Sequence, residues 1–365
     1  MTDNAPDFYA APVVGDDLLP GRLLRIRPTD TPGVIGAGRA WTVLYSSTDT
    51  QGEATVASGI VIAPDTDERL GTGPILVYCP GFHGLGGRCA PSQLLAEGSE
   101  PETAPIEAAL ERGWTVAVAD GENLGVTGRG PHTFLARTAA GQIALDLARA
   151  ATSIPELHDR GAPVVMWGYG DGARAALAAV QLHDSYAPEI ALRAVAAGAA
   201  ISDPDALVSA MNHSPYSGLV LAGFLGLSRA YHHLPLRHVL SEDGQRVVED
   251  AEKASAAVLL EQYRRPFEDW CDRSQPWTDP MWRYVLAREK LVIVEPTSVP
   301  VHLYHGTRDS VIPLGQTLAA FPVTRADGAE VSWRLYEADH VNTARLAVPE
   351  VVARLAGYLQ RPSLW

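Results

Sequence analysis

Residues 164–177 read Val-Val-Met-Trp-Gly-Tyr-Gly-Asp-Gly-Ala-Arg-Ala-Ala-Leu, an apolar run joined to an alanine-rich helix pattern by a turn dense in glycine. A short buried strand that enters a helix through Gly-x-x-x-Gly is the setting of a nucleophile elbow, whose glycines let the chain project its middle residue. The pattern requires Ser at that middle position, but here it is Gly170. The stretch therefore predicts a hydrolase-like frame without its nucleophile, although glycine-rich strand–helix junctions are also common in other α/β proteins.

Two later stretches supply an acid and a histidine. Asp309 follows the apolar run 299–304, and His340 follows the run 331–335 and precedes a helix pattern. Elbow, acid and histidine in this order match the triads of α/β hydrolases, and all three fall on loops after strands. The sequence therefore predicts an α/β-hydrolase fold with a mostly parallel central sheet. For His340, the alternative is a histidine that only packs at a strand end.

The loop at residues 80–87 is the third candidate element. It follows the buried strand predicted at residues 74–79 and is rich in glycine, so backbone N–H groups near Phe82 can face a developing oxyanion. A plain strand–helix turn is the alternative. We expect Phe82, His83, Tyr169 and Asp171 to be oxyanion or substrate-binding residues. His83 and Asp171 can equally be solvated, and an acid such as Asp171 is also favourable as a partner of a helix N-terminus.

Composition limits the function classes. The chain has 365 residues, 46% of them hydrophobic, and a formal net charge of −14, which argues against nucleic acid or an anionic membrane as partner. No window approaches the roughly 18 apolar residues needed to span a bilayer. No metal-ligand cluster or nucleotide motif occurs in the sequence, so we expect no cofactor. The expected substrate is an apolar, acylated small molecule. The opening residues lack a signal peptide, which favours a cytoplasmic location, or secretion if the chain is a mature form.

The chain pattern also predicts its organisation. Strand and helix patterns alternate until about residue 201, and then a helical pattern runs without a clear strand until about residue 295. We therefore expect a core formed by residues 1–201 and 296–365, with a helical cap inserted at 202–295. Such a cap would shape the substrate pocket and exclude water. Further expectations are antiparallel strands within residues 16–30 and 40–64 and helices at residues 105–112, 138–151 and 244–263.

Several motifs together carry a resemblance to the secretory lipase family of α/β hydrolases. They are Cys89-Ala90-Pro91-Ser92, Leu124-Gly125-Val126-Thr127-Gly128-Arg129, Trp167-Gly168-Tyr169, Tyr186-Ala187-Pro188-Glu189-Ile190 and the loop at residues 305–313. The resemblance implies a lipase-like core with a helical cap, Asp309 as the triad acid and His340 as the triad histidine. It also suggests that Cys89 pairs with Cys271.

The sequence departs from the family pattern in three loops. The family's Gly-Tyr-Ser-Gln-Gly is replaced by Gly-Tyr-Gly-Asp-Gly at residues 168–172, and its His-Gly-Thr by Pro-Gly-Phe at residues 80–82. Its Asp-Tyr-x-Gly-Leu-Gly is replaced by Asp-Gly-Glu-Asn-Leu-Gly at residues 120–125. Changes in three loops that meet at one pocket favour a naturally remodelled site over a laboratory Ser→Gly substitution.

A site with a base and oxyanion donors but no nucleophile suits reactions that begin by removing a proton. We therefore predict a non-hydrolytic enzyme, a lyase in which His340, oriented by Asp309, initiates elimination of a carboxylate such as acetate, or a cyclisation or isomerisation. By analogy with α/β-hydrolase-fold proteins of natural-product pathways, such a role belongs to biosynthesis. One alternative is a lipase or carboxylesterase that has lost its Ser or uses direct water attack. The other is a pseudoenzyme that binds acyl ligands.

Overall fold

The fold is built on one nine-stranded sheet. The structure is a computed structural model and describes residues 7–13, 15, 18–66, 73–157, 161–234, 236–291, 298–321 and 330–361. Within these residues the strands, in chain order, are β1 (Leu23–Pro28), β2 (Ala37–Thr48), β3 (Ala54–Pro64), β4 (Ile75–Cys79), β5 (Thr115–Ala119), β6 (Val164–Tyr169), β7 (Leu192–Gly198), β8 (Val301–Gly306) and β9 (Val331–Tyr336).

Helices cover the sheet and form a separate insertion. Those of the described residues are α1 (Pro91–Glu97), α2 (Thr103–Leu110), α3 (Arg137–Thr152), α4 (Asp171–Tyr186), α5 (Pro204–Met211), α6 (Ser217–Ala230), α7 (Leu236–Val239), α8 (Glu242–Ala251), α9 (Ala256–Gln262), α10 (Pro280–Arg288), α11 (Leu314–Ala320) and α12 (His340–Leu359).

The strand order is β1-β2-β3-β5-β4-β6-β7-β8-β9. Pairing is antiparallel from β1 to β5 along this order and parallel from β5 to β9. The predicted α/β-hydrolase fold with a mostly parallel sheet is therefore confirmed. Strands β4, β5 and β6 are buried throughout, as expected for parallel strands with helices on both faces.

Two hydrophobic cores lie on opposite faces of the sheet. One core packs α3 and α4 against it, through residues such as Ile143 and Leu177. The other packs α2 and α12, through Ile106 and Val351, and continues into the helices that follow β7. The carboxyl ends of the parallel strands consequently open at one edge, between these layers, and the loops with the candidate site residues start there.

Helices α5 to α10 come between β7 and β8 and have an aromatic centre of their own. The ring of Phe224 is stacked on Phe267 at 4.1 Å and meets Trp282 edge-on at 4.7 Å. A fully buried ion pair between Arg174 of α4 and Glu289, with an N···O distance of 3.1 Å, joins this insertion to the sheet layer. The predicted boundary between residues 295 and 296 lies outside the described residues.

Two sequence-based expectations differ in their outcome. The helix predicted at residues 244–263 is wrong as one element, because the structure divides it into α8 and α9. The Ser255 side chain accepts a hydrogen bond from the N–H of Val258 and thereby starts α9 as an N-cap. The antiparallel strands predicted near the start are confirmed as β1 to β3, while residues 16 and 17 of that prediction lie outside the described residues.

Candidate functional site

The elbow turn joins β6 to α4 at Gly170. This residue has φ 58° and ψ −115°, a conformation that residues with a side chain rarely adopt. A Cβ placed on Gly170 would lie 3.9 Å from Ile312 Cδ1 and 4.0 Å from His340 Nε2, which are ordinary contact distances. A Cβ on Gly172 would instead lie 1.8 Å from the carbonyl oxygen of Cys79. The turn thus requires glycine at residue 172 but leaves space for a small side chain at residue 170.

The loops after β8 and β9 bring an aspartate and a histidine together. His340 Nδ1 lies 2.7 Å from Asp309 Oδ2. The other carboxylate oxygen, Oδ1, accepts hydrogen bonds from the N–H groups of Val311 and Ile312 at 2.9 and 2.8 Å. Because every oxygen of this fully buried carboxylate has a donor, Asp309 is held rigidly under the imidazole ring.

Tyr169 fixes the other side of His340. Its hydroxyl donates to the backbone carbonyl of His340 at 2.7 Å, and the two rings are 4.8 Å apart. Tyr169 therefore supports the histidine rather than offering its hydroxyl to a ligand. His305, whose Nε2 lies 3.6 Å from Asp309 Oδ2, has its pKa lowered by burial. Because His305 is neutral, it does not offset the negative charge of Asp309, which can then stabilise a protonated His340.

These contacts define what the His340–Asp309 pair can do. Since a carboxylate only accepts, Nδ1 of His340 carries the hydrogen and Nε2 is left as a proton acceptor. Nε2 is also the atom that faces the space above Gly170. The arrangement can remove a proton from a group bound above the elbow, but Gly170 has no atom with which to form a covalent acyl intermediate.

The loop after β4 is held by two buried carboxylates that the sequence analysis did not identify. Glu102 accepts the N–H of Gly81 at 3.1 and 3.2 Å and the hydroxyl of Tyr78 at 2.5 Å. Glu100 Oε1 accepts from His83 Nε2 at 2.7 Å. Glu100 and Glu102 carry no periodic signal, although both lie in the acidic connection between α1 and α2. Because the N–H of Gly81 donates to Glu102, it cannot donate to an oxyanion unless that hydrogen bond breaks.

His83 is a residue of this loop and is held there as a cation. Burial lowers its pKa, but the hydrogen bond and negative charge of Glu100 outweigh burial and raise the pKa to about 9. The second ring nitrogen, Nδ1, donates to the Gly81 carbonyl at 2.8 Å. Both nitrogens are therefore used in fixing the loop, and the ring touches the candidate site only as part of a cavity wall.

Phe82 and Asp171 lie together with a histidine missed in the sequence, His132. The ring of Phe82 is stacked on Phe134 at 4.0 Å, with the ring of His132 at 6.3 Å. Asp171 is the first residue of α4, and its Oδ2 lies 3.8 Å from His132 Nε2. All three border a cavity of about 50 Å³ with His83 and Asp120. Its position on a loop after a strand was the available signal for His132.

Asp120, at the carboxyl end of β5, has a supporting role in the same wall. It accepts from Ser58 Oγ at 2.5 Å and from the N–H and Oγ of Ser92 at 2.7 and 2.6 Å. Burial raises its pKa to about 6, against the lowering effect of these hydrogen bonds. The contacts tie the Cys-Ala-Pro-Ser motif, at the start of α1, to the end of β5.

The cysteines do not form the pair that the resemblance suggested. Cys79, Cys89 and Cys271 are free thiols. The sulfur of Cys89 lies 4.0 Å from the Ala254 carbonyl oxygen, and that of Cys271 lies 3.2 Å from the carbonyl oxygen of Phe267. The Cys89–Cys271 disulfide is thus absent from the structure, because each sulfur packs against a different part of the helical insertion.

Neither a metal centre nor a membrane-spanning helix occurs in the described residues. Among residues 7–361, apart from the gaps given above, no group of three or more His, Cys, Asp or Glu side chains is arranged to hold a metal ion. Within the same described part of the chain, no helix combines the length and apolar character needed to cross a bilayer.

Comparisons with known proteins agree with this architecture. The chain is 26% identical to "Lipase A" of Arthroderma benhamiae over 353 residues, covering 90% of this chain and 73% of that protein. It is 27% identical over 363 residues to "Probable inactive lipase MT1628" of Mycobacterium tuberculosis, covering 94% and 79%. The closed state of Candida antarctica lipase A superposes with a TM-score of 0.87 at 21% identity, covering 97% of this chain and 85% of the other, and this shows a shared fold. The family model "Secretory lipase" matches residues 90–354, and the chain therefore belongs to the secretory lipase family.

Proposed function

We propose that this chain is a lyase that acts on an apolar, acylated small molecule, with His340 as general base and Asp309 as its orienting acid. The observation that carries the proposal is the open space above Gly170: a Cβ there would lie 4.0 Å from His340 Nε2, so the base faces a position that holds no nucleophile. The elimination proceeds without an acyl-enzyme. The absent hydroxyl is useful in this reaction, because a nucleophile would hydrolyse the ester that serves as leaving group.

The reaction requires one proton acceptor and one site for developing negative charge. His340 Nε2 removes the proton from the carbon next to a carbonyl, and the electron pair forms a carbon–carbon double bond. The carbon–oxygen bond at the next carbon breaks, and the carboxylate leaves with that bond's electrons. The imidazolium then returns its proton to solvent. The backbone N–H groups near Phe82 and in the first turn of α4, at Asp171, stabilise the intermediate enolate.

A second candidate, ester hydrolysis by direct water attack, is favoured by one observation: the matching family is described as secretory lipase, and the similar protein of Arthroderma benhamiae is named Lipase A. In that reaction His340 deprotonates a water held above Gly170. Without covalent catalysis the hydrolysis is expected to be slow. The family's description also favours secretion, which was the alternative to the cytoplasmic location expected from the sequence. We further propose that the helices between β7 and β8 form the cap.

One substrate separates the two reactions. Elimination converts 4-acetoxybutan-2-one into acetate and but-3-en-2-one, whereas hydrolysis converts it into acetate and 4-hydroxybutan-2-one. We expect the wild-type chain to form the alkene, detected by proton NMR, above the rate in buffer. His340→Gln is expected to lose about 10²–10⁴-fold of that rate, the range typical of a positioned general base.

The matched control is His213→Gln, which changes a histidine whose side chain is 71% exposed and pairs with Glu268. It should retain the wild-type rate. Formation of 4-hydroxybutan-2-one in place of the alkene establishes the hydrolytic candidate. No product above buffer, or full elimination by His340→Gln, refutes the lyase proposal.

A further inference from the structure

His132 is a second imidazole at the carboxyl edge of the sheet. It lies in the loop between β5 and α3, and its Nδ1 is 2.9 Å from the carbonyl oxygen of Glu122. A carbonyl oxygen only accepts, so Nδ1 carries a hydrogen in both charge states of the ring. Nε2 is therefore the nitrogen that binds and releases a proton.

Asp171 lies opposite that nitrogen without capturing its proton. The distance of 3.8 Å between His132 Nε2 and Asp171 Oδ2 is within ion-pair range, but it is longer than a hydrogen bond. The carboxylate thus provides a negative charge beside a ring that becomes positive on protonation. Because Asp171 does not consume the hydrogen of Nε2, that hydrogen is available to a substrate oxygen.

The sheet order places the strands that precede the two imidazoles on opposite sides of the strand that ends at the elbow. Strand β6, which ends at the elbow, has β4 and then β5 on one side and β7, β8 and β9 on the other. His132 follows β5, and His340 follows β9. Asp171, the partner of His132, is the residue directly after Gly170. Phe82, from the loop after β4, borders the same cavity as His132.

We propose that His132, paired with Asp171, is the proton donor to the carbonyl oxygen of the substrate, opposite the base His340. This inference rests on the proposed elimination and assigns its second proton-transfer group. As His340 removes the proton from carbon, the carbonyl oxygen takes the proton of His132 Nε2 and an enol forms. The enol then returns that proton to His132, the carbonyl reforms, and the carboxylate leaves with the electrons of its carbon–oxygen bond.

The ligand class follows from this pairing. A base and an acid on opposite sides of one bound group recognise an enolisable carbonyl compound with an acyloxy group one carbon further on. The other ionisable groups on the cavity wall are His83, from the loop after β4, Asp120, at the end of β5, and Cys79. His83 and Asp120 are engaged by Glu100 and by Ser58 and Ser92, and burial raises the pKa of Cys79 to about 12, which keeps its thiol neutral.

The test compares two probes whose enolates differ in basicity. A proton donor assists the strongly basic enolate of 4-acetoxybutan-2-one more than the weakly basic enolate of ethyl 2-(acetoxymethyl)acetoacetate. His132→Asn keeps an amide N–H where Nδ1 donates to Glu122 and removes Nε2. We expect it to lower kcat about 10²-fold for the first probe and less than about 10-fold for the second. His340→Gln should lower both.

A structural role for His132 predicts equal losses for both probes, and that result would overturn the proposal. His132→Gln keeps a donor near the Nε2 position, so it should restore part of the rate with the first probe. His213→Asn should leave both rates unchanged.

A measurement without turnover separates failure of this inference from failure of the proposed function. In the wild-type protein labelled with ¹⁵N-histidine, addition of pentane-2,4-dione, an enol probe, should shift the Nε2 resonance of His132 and leave its Nδ1 resonance in place. An unmoved Nε2 resonance refutes the assignment. If wild-type elimination is absent but Nε2 shifts, the lyase reaction is wrong and the proton-donor site stands.

Discussion

The two halves of the candidate site are held by different forces. In the half after β8 and β9, one buried carboxylate, Asp309, receives three donors and orients His340. In the half after β4, the contacts hold the backbone. Glu102 accepts the N–H of Gly81, and His83 donates one ring N–H to the Gly81 carbonyl and the other to Glu100. The first half is thus built to present a side chain, and the second to fix a backbone.

This difference predicts that the half around Asp309 controls proton transfer, and that the half around His83 controls how stability changes with pH. Loss of a contact around Asp309 should change proton transfer, because the imidazole loses its tautomer. Loss of a contact around His83 should change stability with pH, because a buried cation and a buried carboxylate support each other there. Substitutions at three positions test the distinction, in order of decreasing effect.

Asp309→Asn should have the largest effect. The amide can donate to His340 Nδ1, which would move the hydrogen of the ring to Nε2 and remove the base. We expect kcat for elimination from 4-acetoxybutan-2-one to fall about 10²–10⁴-fold, as is expected when the base itself is removed. Asp339→Asn is the matched control, since Asp339 is exposed, caps α12 through Asn342, and Asn caps about as well. Similar rates in the two variants would contradict the assigned role of Asp309.

His83→Gln should give an intermediate effect that depends on pH. The folded pKa of about 9 lies above the ordinary 6.5, so the contribution of His83 to stability is complete below pH 6.5 and is lost as pH rises through 9. The shift corresponds to about 3 kcal/mol. Urea unfolding at pH 6, 8 and 10 should show the variant's deficit shrinking as pH rises. A deficit that is the same at all three pH values would show that packing, rather than charge, holds the loop.

Substitution of Gly170 should have the smallest effect. Gly170→Ala and Gly170→Ser both place a Cβ at φ 58°, and each should lose about 1–2 kcal/mol of unfolding free energy from backbone strain. The added atom itself meets only ordinary contacts. Denaturant unfolding of the two variants measures the loss.

The two variants should differ in chemistry alone. The Ser hydroxyl would face His340 Nε2, so p-nitrophenyl acetate should add one acetyl group to Gly170→Ser, detected by mass spectrometry, and none to Gly170→Ala. No acetylation of Gly170→Ser would show that the Gly81–Phe82 side of the site no longer supports acyl transfer.

Much of the fold could be predicted because its signals are local. The buried strand at residues 164–169, the glycines of the elbow and the alternation of strand and helix patterns each need only a short window. The chain order of Gly170, Asp309 and His340 also pointed to one edge of the sheet. The break at Ser255 was missed because no Gly or Pro marks it in residues 251–256.

The second half of the candidate site could not be predicted in the same way. Glu100 and Glu102 look like surface acids in the sequence, yet folding buries them under the loop of Gly81 and His83. His132 lies in a loop of 17 residues between β5 and α3, where no periodicity exists to assign a direction to its side chain.

The residues alone establish the alternating strands and helices of the core and the lack of a hydroxyl at residue 170, because periodicity and side-chain identity are properties of short stretches of chain. Only the packed molecule decides that His340 Nε2 faces that residue, that two carboxylates hold the loop after β4, and that His132 meets Asp171. These facts depend on distances between loops far apart in the chain, which the sheet alone brings together.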